Sequence, residues 1–425
     1  MSNYNIRNVV MGTSLIGMVS ALVGTFTVLR KRSLLGDAIA HSVLPGICLA
    51  FILFNTKNLF VLFSGAFVTG WLSILLIDYI IRKSPIKPDA SIGITLSFFF
   101  GMGMLLLTAI QQSNNAGQTG LDRFLFGKAA SIVGEDVFVI AILSAVILII
   151  LFFFHKGFAL ISFDSLFAQS IGFNIKIYEF LLSSITVLAI VIGIQAVGVV
   201  LMAALIITPA VAARMWTDEL AFLLLFAALF GMMASVFGAF VSFTAPSMPT
   251  GPWIIIGLTI IGILSILFAP HKGVVYKYFQ RLKHRSKIIE ENILKVFYHL
   301  GEAKTDFKNE RSLTEILNRR SFAIKQLEDG IMKLIRKGLL QKQTGSYALT
   351  EKGFDASERI IRLHRMWELY LTKYLKVAPD HVHETADAIE HFLEDDMEEE
   401  LAKVLDGVEE DPHERKIPLK KKRKS

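Results

Sequence analysis

Long apolar segments follow one another from residue 9 to residue 270, and they constrain the fold more than any other feature of the chain. A helix that crosses a lipid bilayer needs roughly 20 consecutive apolar residues. Nine segments meet this requirement, at about residues 9–29, 34–54, 59–81, 90–110, 133–154, 177–194, 197–215, 220–243 and 253–269. The sequence therefore predicts an all-α polytopic membrane region with nine transmembrane helices.

The composition excludes an ordinary soluble protein of this length. Hydrophobic residues make up 53% of the 425 residues, and the mean hydropathy is +0.53. The single cysteine, Cys48, excludes an intrachain disulfide framework. The first apolar segment is long and lacks a small-residue cleavage site, so we expect a retained span and not a cleavable signal peptide. Residues 272–425, in contrast, have the charged composition of a soluble domain.

Positive charges between the spans predict the orientation of the chain. They follow the first, third and fifth spans, at Arg30, Lys31, Arg32, Arg82, Lys83, Lys87, His155 and Lys156. Because Lys and Arg concentrate in cytoplasmic loops, the amino terminus is predicted to lie outside. Nine spans then return the chain to the cytoplasm, where the soluble domain has to lie. The basic cluster within residues 272–287 marks the cytoplasmic face on this interpretation, with nucleic-acid binding as an alternative.

Two ionisable residues interrupt the second span, Asp37 and His41. A spacing of four residues puts both side chains on one face of a helix. Ionisable groups are expensive in hydrocarbon, so they usually face a pathway or bind a ligand. A carboxylate and an imidazole together suit a divalent transition metal. The alternative is structural, with Asp37 as a helix cap and His41 as a satisfied core residue.

Two further segments of the membrane region have features of functional elements. Gln195, Gly198 and Pro209 separate or interrupt the sixth and seventh spans, which suits a pore lining, although a plain kink or tight packing also explains them. The predicted cytoplasmic segment at residues 158–176 has a core, residues 163–173, that is predicted to form a short amphipathic helix ending at Gly172. We interpret it as a docking helix for a partner in the cytoplasm. A solvated connector is the alternative.

The membrane region resembles the permease subunit of the zinc, manganese and iron ABC transporters. The resemblance rests on VLRKRSLLGDAIAHSVLPG at 28–46, LFG at 125–127, ED at 135–136, the Asp164, Ala168 and Gly172 segment, GVVLMAALIITP at 198–209 and PTGP at 249–252. It implies import of a metal ion, with Asp37 and His41 handling the ion and the segment around Gly172 as the coupling helix.

The same resemblance implies several partners. An extracytoplasmic metal-binding protein delivers the ion, a second permease subunit completes the path within the membrane lipid, and cytoplasmic ABC ATPase subunits drive transport. The chain itself has no G-x-x-x-x-G-K-[ST] motif, so ATP hydrolysis is expected on another polypeptide and this subunit is expected to be non-catalytic. The location is then the bacterial inner membrane.

The soluble region begins with the pattern of a winged helix. Helices are predicted at residues 286–300, 312–317 and 321–337, and strands at 339–343 and 346–349 around Gly345. The third helix occupies the recognition position. It carries Lys325, Lys333 and Arg336, but also Glu328 and Asp329, which disfavour phosphate. Contact with protein and binding of DNA both remain open.

Six ligand-type side chains follow the winged helix. One helix carries His364 and Glu368, and the next carries His383, Asp387, Glu390 and His391 on one face. Two histidines and two carboxylates on one face predict a metal site. Solvated charges on a surface helix are the alternative.

This region resembles the iron- and manganese-dependent repressors of the diphtheria-toxin-repressor type. The resemblance covers residues 288 to about 418 and rests on LHRMWELYL at 363–371, VHETADAIEH at 382–391, DPH at 411–413 and IP at 417–418. It implies that the six side chains are ligands or near-ligands of a regulatory metal. Iron-type members have Cys at the position of Asp387, so the carboxylate indicates Mn²⁺. Asn292 and Lys295 replace acidic ligands of the manganese type, and a charged lysine cannot ligate.

We therefore expect a transmembrane permease domain at 1–271, a basic linker at 272–287, a winged-helix domain at 288–349, a helical metal-binding and dimerisation domain at 350–418 and a basic tail at 419–425. The main hypothesis is the permease of an importer for Mn²⁺, with Zn²⁺ or Fe²⁺ as alternatives, fused to a cytoplasmic metal sensor. A second hypothesis makes the soluble region a metal-dependent DNA-binding repressor, tethered or released by proteolysis. A third gives it a role in dimerisation alone.

Overall fold

The computed structural model describes residues 3–32, 34–56, 58–112, 127, 129, 132–244, 248–343, 345–377, 395–405, 410–413 and 415–418. The chain forms two compact units, Met1–Lys277 and Tyr278–Ser425. We call them the membrane unit and the tail.

The described part of the membrane unit is entirely helical. Its helices are α1 (Asn3–Leu29), α2 (Leu34–Ser42), α3 (Leu44–Phe54), α4 (Leu59–Lys83), α5 (Pro88–Gln112), α6 (Gly134–Phe163), α7 (Ser165–Ser170), α8 (Ile175–Val197), α9 (Val199–Trp216), α10 (Leu220–Thr244) and α11 (Thr250–Phe268). Within the described ranges, nine spans are long and apolar enough to cross a membrane, with α2 and α3 together forming the second. The predicted number of spans is confirmed.

The helices of the membrane unit pack through small residues. Helix α1 contacts α6, α8, α9 and α10, and α2 lies against α4, α5, α8 and α9. Because lipid provides no hydrophobic drive between helices, close packing of backbones has to hold them together. At the contact of α3 with α4, a Cβ added to Gly46 would lie 2.1 Å from the carbonyl oxygen of Gly65. Only glycine allows these two backbones to approach so closely.

Two spans are interrupted where the sequence has helix-breaking residues. Val43 separates α2 from α3, two residues before Pro45. Gly198 separates α8 from α9 with a φ of 89°, as predicted. Gly127 (φ 70°) lies against this second break, and a Cβ there would come within 2.4 Å of the carbonyl carbon of Val197.

The predicted interruption at Pro209 is wrong. Helix α9 continues through Pro209 to Trp216. Proline removes one backbone hydrogen bond, but neighbouring helices stabilise a transmembrane helix against this loss. Pro209 is itself buried among them.

The tail has the predicted order of a winged helix. Its elements are α12 (Val274–Lys304), α13 (Leu313–Arg319), α14 (Ile324–Arg336), β1 (Leu340–Gln343), β2 (Ser346–Leu349), α15 (Glu351–Leu375) and α16 (Asp395–Val404). The two strands pair antiparallel, with Leu340 opposite Leu349, and Gly345 turns the hairpin with a φ of 86°. The segment predicted as a basic linker is helical from Val274 onward.

The core of the winged helix explains why these elements come together. Apolar residues at helical spacing on α12, α13 and α14 pack against Leu340 and Leu349, a facing pair of residues in the hairpin. The buried members are Ile293, Leu294, Val296, Phe297, Ile316, Leu327, Ile331, Leu334, Leu340 and Leu349. Residue Ser312 caps α13 by accepting a hydrogen bond from the Glu315 amide, which fixes where that helix begins.

Candidate functional site

The predicted pair in the membrane unit lies on α2, and its two side chains differ in exposure from their neighbours. Residues Leu35, Gly36, Ala38, Ile39, Ala40 and Ser42 are all buried. The Asp37 side chain, in contrast, is 38% exposed, and the His41 side chain is 15% exposed. The two ionisable side chains therefore border space that the described residues do not fill.

The atoms of the pair are placed as two ligands of one ion would be. Asp37 Oδ1 lies 3.5 Å from His41 Nε2, which is long for a hydrogen bond. Two ligands bound to one tetrahedral ion by bonds of about 2.1 Å are separated by about 3.4 Å. The separation therefore leaves room for a cation shared between the carboxylate and the imidazole.

The surroundings of His41 leave one of its ring nitrogens without a partner among the described residues. Its Nδ1 is buried and has no hydrogen-bond partner among the described residues. The ring packs edge-on against Phe100 of α5, with centroids 4.9 Å apart. Pro45 has no N–H, so the His41 carbonyl receives no helical hydrogen bond from the residue four positions later. A buried ring nitrogen without a partner, next to a carboxylate, is typical of a site that binds a ligand.

Phe100 was not predicted from the sequence. It lies in a run of phenylalanines on α5, 59 positions after His41, and nothing in that run distinguishes it. Only the packing of α5 against α2 brings its ring to the imidazole.

The short helix predicted within residues 158–176 is found as α7, Ser165–Ser170, and the three predicted residues build it, while residues 158–163 continue α6 and α8 begins at Ile175. Asp164 Oδ1 accepts a hydrogen bond from the Phe167 amide at 2.9 Å, which caps the helix. Ala168 is fully buried. Gly172 has a φ of 87°, and the Phe173 amide donates to the Ala168 carbonyl, which is the Schellman pattern of a helix end.

The outward surface of this helix is apolar. Phe163, Leu166, Phe167 and Ile171 are all more than half exposed, and Leu166 reaches 78%. These four residues, which we call the α7 apolar patch, were not singled out from the sequence. The sequence did contain a signal for them, because four large apolar residues lie in or beside a predicted helix that is no more than ten residues long.

In the tail, α15 presents His364 and Glu368 toward α12, as one part of the predicted metal site. His364 Nε2 lies 3.1 Å from Glu368 Oε1. Lys295 of α12 approaches the same ring from its other side, with Nζ 2.9 Å from Nδ1. All three side chains are buried, with exposures of 2–3%.

Proton positions at this cluster follow from the chemistry of lysine. An ammonium group has donors and no acceptor, so Lys295 must donate to Nδ1 of His364. The ring nitrogen Nε2 then carries the proton and donates to Glu368. Both ring nitrogens are used, and neither has a lone pair left for a metal ion.

The described tail residues therefore do not fit a metal ion. Across the ranges that the structure describes, no group of three or more His, Cys, Asp or Glu residues is arranged to hold one. The other predicted ligands lie outside the described residues, and they are His383, Asp387, Glu390 and His391. Asn292, one turn before Lys295, has a buried Oδ1 without a hydrogen-bond partner among the described residues.

The positive charge of Lys295 also affects a neighbour on α12. Burial, and then the charge of Lys295, lower the pKa of His299 to about 4. His299 is therefore neutral at physiological pH.

A second buried cation joins α12 to the end of the described chain. Arg365 donates two hydrogen bonds of 2.8 Å to the carboxylate of Glu302 and one to the Lys416 carbonyl. Its Nε lies 3.6 Å from Asp411 Oδ2. Asp411 belongs to the DPH sequence at 411–413, so that sequence takes part in a structural connection to α15.

Comparison with known proteins identifies both parts of the chain. Residues 2–269 match the ABC 3 transport family, and residues 350–419 match the family described as iron dependent repressor, metal binding and dimerisation domain. The first match covers more than half of the chain.

Curated relatives extend the likeness. The manganese transport system membrane protein MntC of Bacillus subtilis (strain 168) is 39% identical over 381 residues, which is 88% of this chain and 86% of the relative. The zinc transport system membrane protein TroC of Treponema pallidum (strain Nichols) is 42% identical over 290 residues, 68% of this chain and 97% of the relative. A solved structure, PsaBC from Streptococcus pneumoniae in complex with Fab, superposes with a TM-score of 0.58 at 33% identity, over 66% of this chain and 96% of that chain.

Proposed function

Because the chain belongs to the ABC 3 transport family, we propose that it is the membrane-spanning subunit of an importer for a divalent transition metal, with a metal-sensing tail in the cytoplasm. The observation that carries the proposal is the pair Asp37 and His41. A carboxylate and an imidazole lie 3.5 Å apart within a span, beside a buried ring nitrogen that has no partner among the described residues. We assign them to the translocation pathway.

Manganese is the proposed cargo, with zinc and iron as alternatives. The relative named for manganese aligns over 381 residues, which exceeds the 277 residues of the membrane unit, so the likeness continues into the tail. The relative named for zinc aligns over 290 residues. Carboxylate ligands, such as Asp37, suit Mn²⁺.

The exposure of Asp37 supports a pathway formed with a second permease subunit. A carboxylate with 38% exposure within a span is unfavourable against lipid, so another polar or water-filled surface has to cover it. A second permease subunit, a copy or a close homologue, supplies that surface. An extracytoplasmic binding protein would deliver the ion to it.

The α7 apolar patch is the proposed docking surface for the ATPase subunit. Four apolar side chains exposed around one capped helix favour contact with another protein. Charges after the first, third and fifth spans support an orientation with the amino terminus outside and α7 inside. The tail then lies in the cytoplasm, where metal bound to it adjusts transport by a population shift.

Uptake of radioactive manganese into cells that express the complete transporter tests the pathway. Replacing Asp37 with Asn preserves size and removes the charge, and we expect uptake to fall by at least about tenfold, since even outer partners of metal ligands contribute that much. Asp218→Asn is the matched control, because its side chain is 80% exposed.

Folding has to be checked alongside transport. Equal amounts of monodisperse protein and equal melting temperatures would show that Asp37→Asn is folded. Uptake at the wild-type rate in a folded Asp37→Asn chain would remove Asp37 from the pathway.

A further inference from the structure

We propose that Lys295 is an internal cation that takes the place of a metal ion at His364 and Glu368, so that the junction of α12 and α15 is held together without metal. The inference deepens the proposed sensor role of the tail, because it says which part of the predicted site cannot respond to metal.

The burial of Lys295 is the first argument. Its side chain is 2% exposed, and a buried ammonium is unfavourable unless charged or polar groups surround it. The described partners meet this requirement. Nδ1 of His364 accepts a hydrogen bond from the Lys295 ammonium at 2.9 Å. The ammonium polarises the imidazole, and this strengthens the interaction of the other ring nitrogen with the Glu368 carboxylate, 3.1 Å away.

The sum of charges is the second argument. One ammonium, one neutral imidazole and one carboxylate give a net charge of zero for these three groups. A metal ion bound by His364 and Glu368 would add two positive charges beside the buried ammonium. Two cations that both contact the His364 ring would lie close together, and like charges repel strongly in a poorly solvated site. Lys295 therefore uses the lone pair of Nδ1 that a metal ion would need, and its charge disfavours a second cation at the same side chains.

The elements that the cluster joins give the third argument. Lys295 lies in the middle of α12, within the winged-helix core, and His364 lies in the middle of α15, which leads away from the hairpin. A metal ion held by His364 and Glu368 could connect the two helices only through a further ligand from α12, and the α12 side chain at this position is an ammonium, which has no lone pair to offer. Lys295 makes that connection through a residue of the chain, so it does not depend on the metal concentration.

A division of roles within the tail follows. The junction of α12 and α15 is permanent, and any response to metal has to come from the other predicted ligands, His383, Asp387, Glu390 and His391. The neighbouring Asn292 is consistent with this division, because a neutral amide stands where the manganese-type repressors are expected to supply a carboxylate.

Hydrogen–deuterium exchange of the purified full chain, read by mass spectrometry, tests the inference locally. The peptides of interest cover residues 288–300 and 358–371. In the wild-type chain we expect the same protection in EDTA and in Mn²⁺. Protection of these peptides that is lost in EDTA and restored by Mn²⁺ would overturn the inference, and this comparison needs no variant.

Substitutions of Lys295 provide the second test. In Lys295→Met the cation is removed, and we expect exchange in both peptides to become at least about tenfold faster, with or without Mn²⁺. In Lys295→Glu a carboxylate replaces the cation, and we expect fast exchange in EDTA that Mn²⁺ slows. Lys308→Met and Lys308→Glu are the matched controls, because Lys308 is exposed. Wild-type exchange in Lys295→Met, or no effect of Mn²⁺ on Lys295→Glu, would contradict the proposal.

The test separates this inference from the sensor role itself. Metal-dependent protection at α15 in the wild-type chain refutes the internal cation and leaves the sensor in place. Metal-independent protection, in a transporter whose uptake ignores internal manganese, supports the internal cation and refutes the sensor.

Discussion

At the scale of single residues, two histidines show how neighbours decide whether an imidazole is available to a ligand. His41 has one buried nitrogen without a partner in the described chain and the other 3.5 Å from a carboxylate. His364 has a donor at one nitrogen and an acceptor at the other. His41 follows a carboxylate by four positions and His364 precedes one by four, so the spacing alone does not separate an imidazole that has a nitrogen without a partner in the described chain from one that uses both nitrogens.

His299 leads to a prediction about pH. Its pKa is lowered from 6.5 to about 4 in the folded tail, so below pH 6.5 the unfolded state binds more protons than the folded state. Stability of the tail should therefore fall as the pH decreases from 6.5 to 4, by at most about 1.4 kcal/mol per pH unit from this group. Pulse proteolysis of the tail in urea, performed on the full chain, measures the slope.

Replacing His299 with Gln removes the titrating group, and the dependence on pH should become shallower. Exposed His413→Gln is the control and should keep the wild-type slope. The assignment fails if His299→Gln and the wild type lose stability in acid to the same extent.

At the scale of elements, α7 shows that the residues which build a helix and the residues which it exposes are different sets. Asp164, Ala168 and Gly172 are used by the cap, the core and the helix end. The α7 apolar patch projects from the helix that those three residues build. If α7 docks the ATPase subunit as proposed, the motif identifies the docking helix without containing its contact residues.

The α7 apolar patch gives a prediction about coupling. Leu166 is 78% exposed, so Leu166→Gln removes little buried area and should leave the melting temperature of the chain within about 1 °C. It should reduce co-purification of the ATPase subunit and manganese uptake together, by about fivefold or more. Ile324→Gln in the tail, 65% exposed, is the control for loss of an exposed apolar residue. Normal ATPase recovery with Leu166→Gln would remove the patch from the docking surface.

At the scale of the whole molecule, one chain combines a membrane unit that matches transporters with a tail that matches part of a repressor family. On the proposed function, a sensor attached to its own transporter acts at the site of import. The coupling is reciprocal, so a tail that alters transport when metal binds must itself bind metal differently in different transport states.

Feedback by internal manganese provides the test at this scale. Replacing both His364 and His391 with Ala should flatten the dependence of uptake on internal manganese. The tail then loses His391, a predicted metal ligand, and His364, which connects Lys295 of α12 to Glu368 of α15. Uptake is measured in cells loaded beforehand with graded manganese. The sensor proposal is contradicted if the double variant and the wild type respond identically at every internal concentration.

Elements with a local cause could be predicted from the order of residues alone. The nine spans in the described part of the chain follow from nine apolar segments, because a backbone in lipid has to satisfy its hydrogen bonds within a helix. The break at Gly198, the cap at Asp164, the end of α7 at Gly172 and the hairpin at Gly345 follow from the conformations of those residues.

Contacts between distant groups became visible only in three dimensions. Lys295 and His364 are 69 positions apart, and no periodicity says that an ammonium will use the lone pair of that ring. Phe100 reaches His41 through helix packing, and α9 passes through Pro209 because its neighbours hold it. Such contacts depend on how the helices are arranged in space, and a pattern within one helix carries no information about the helix that packs against it.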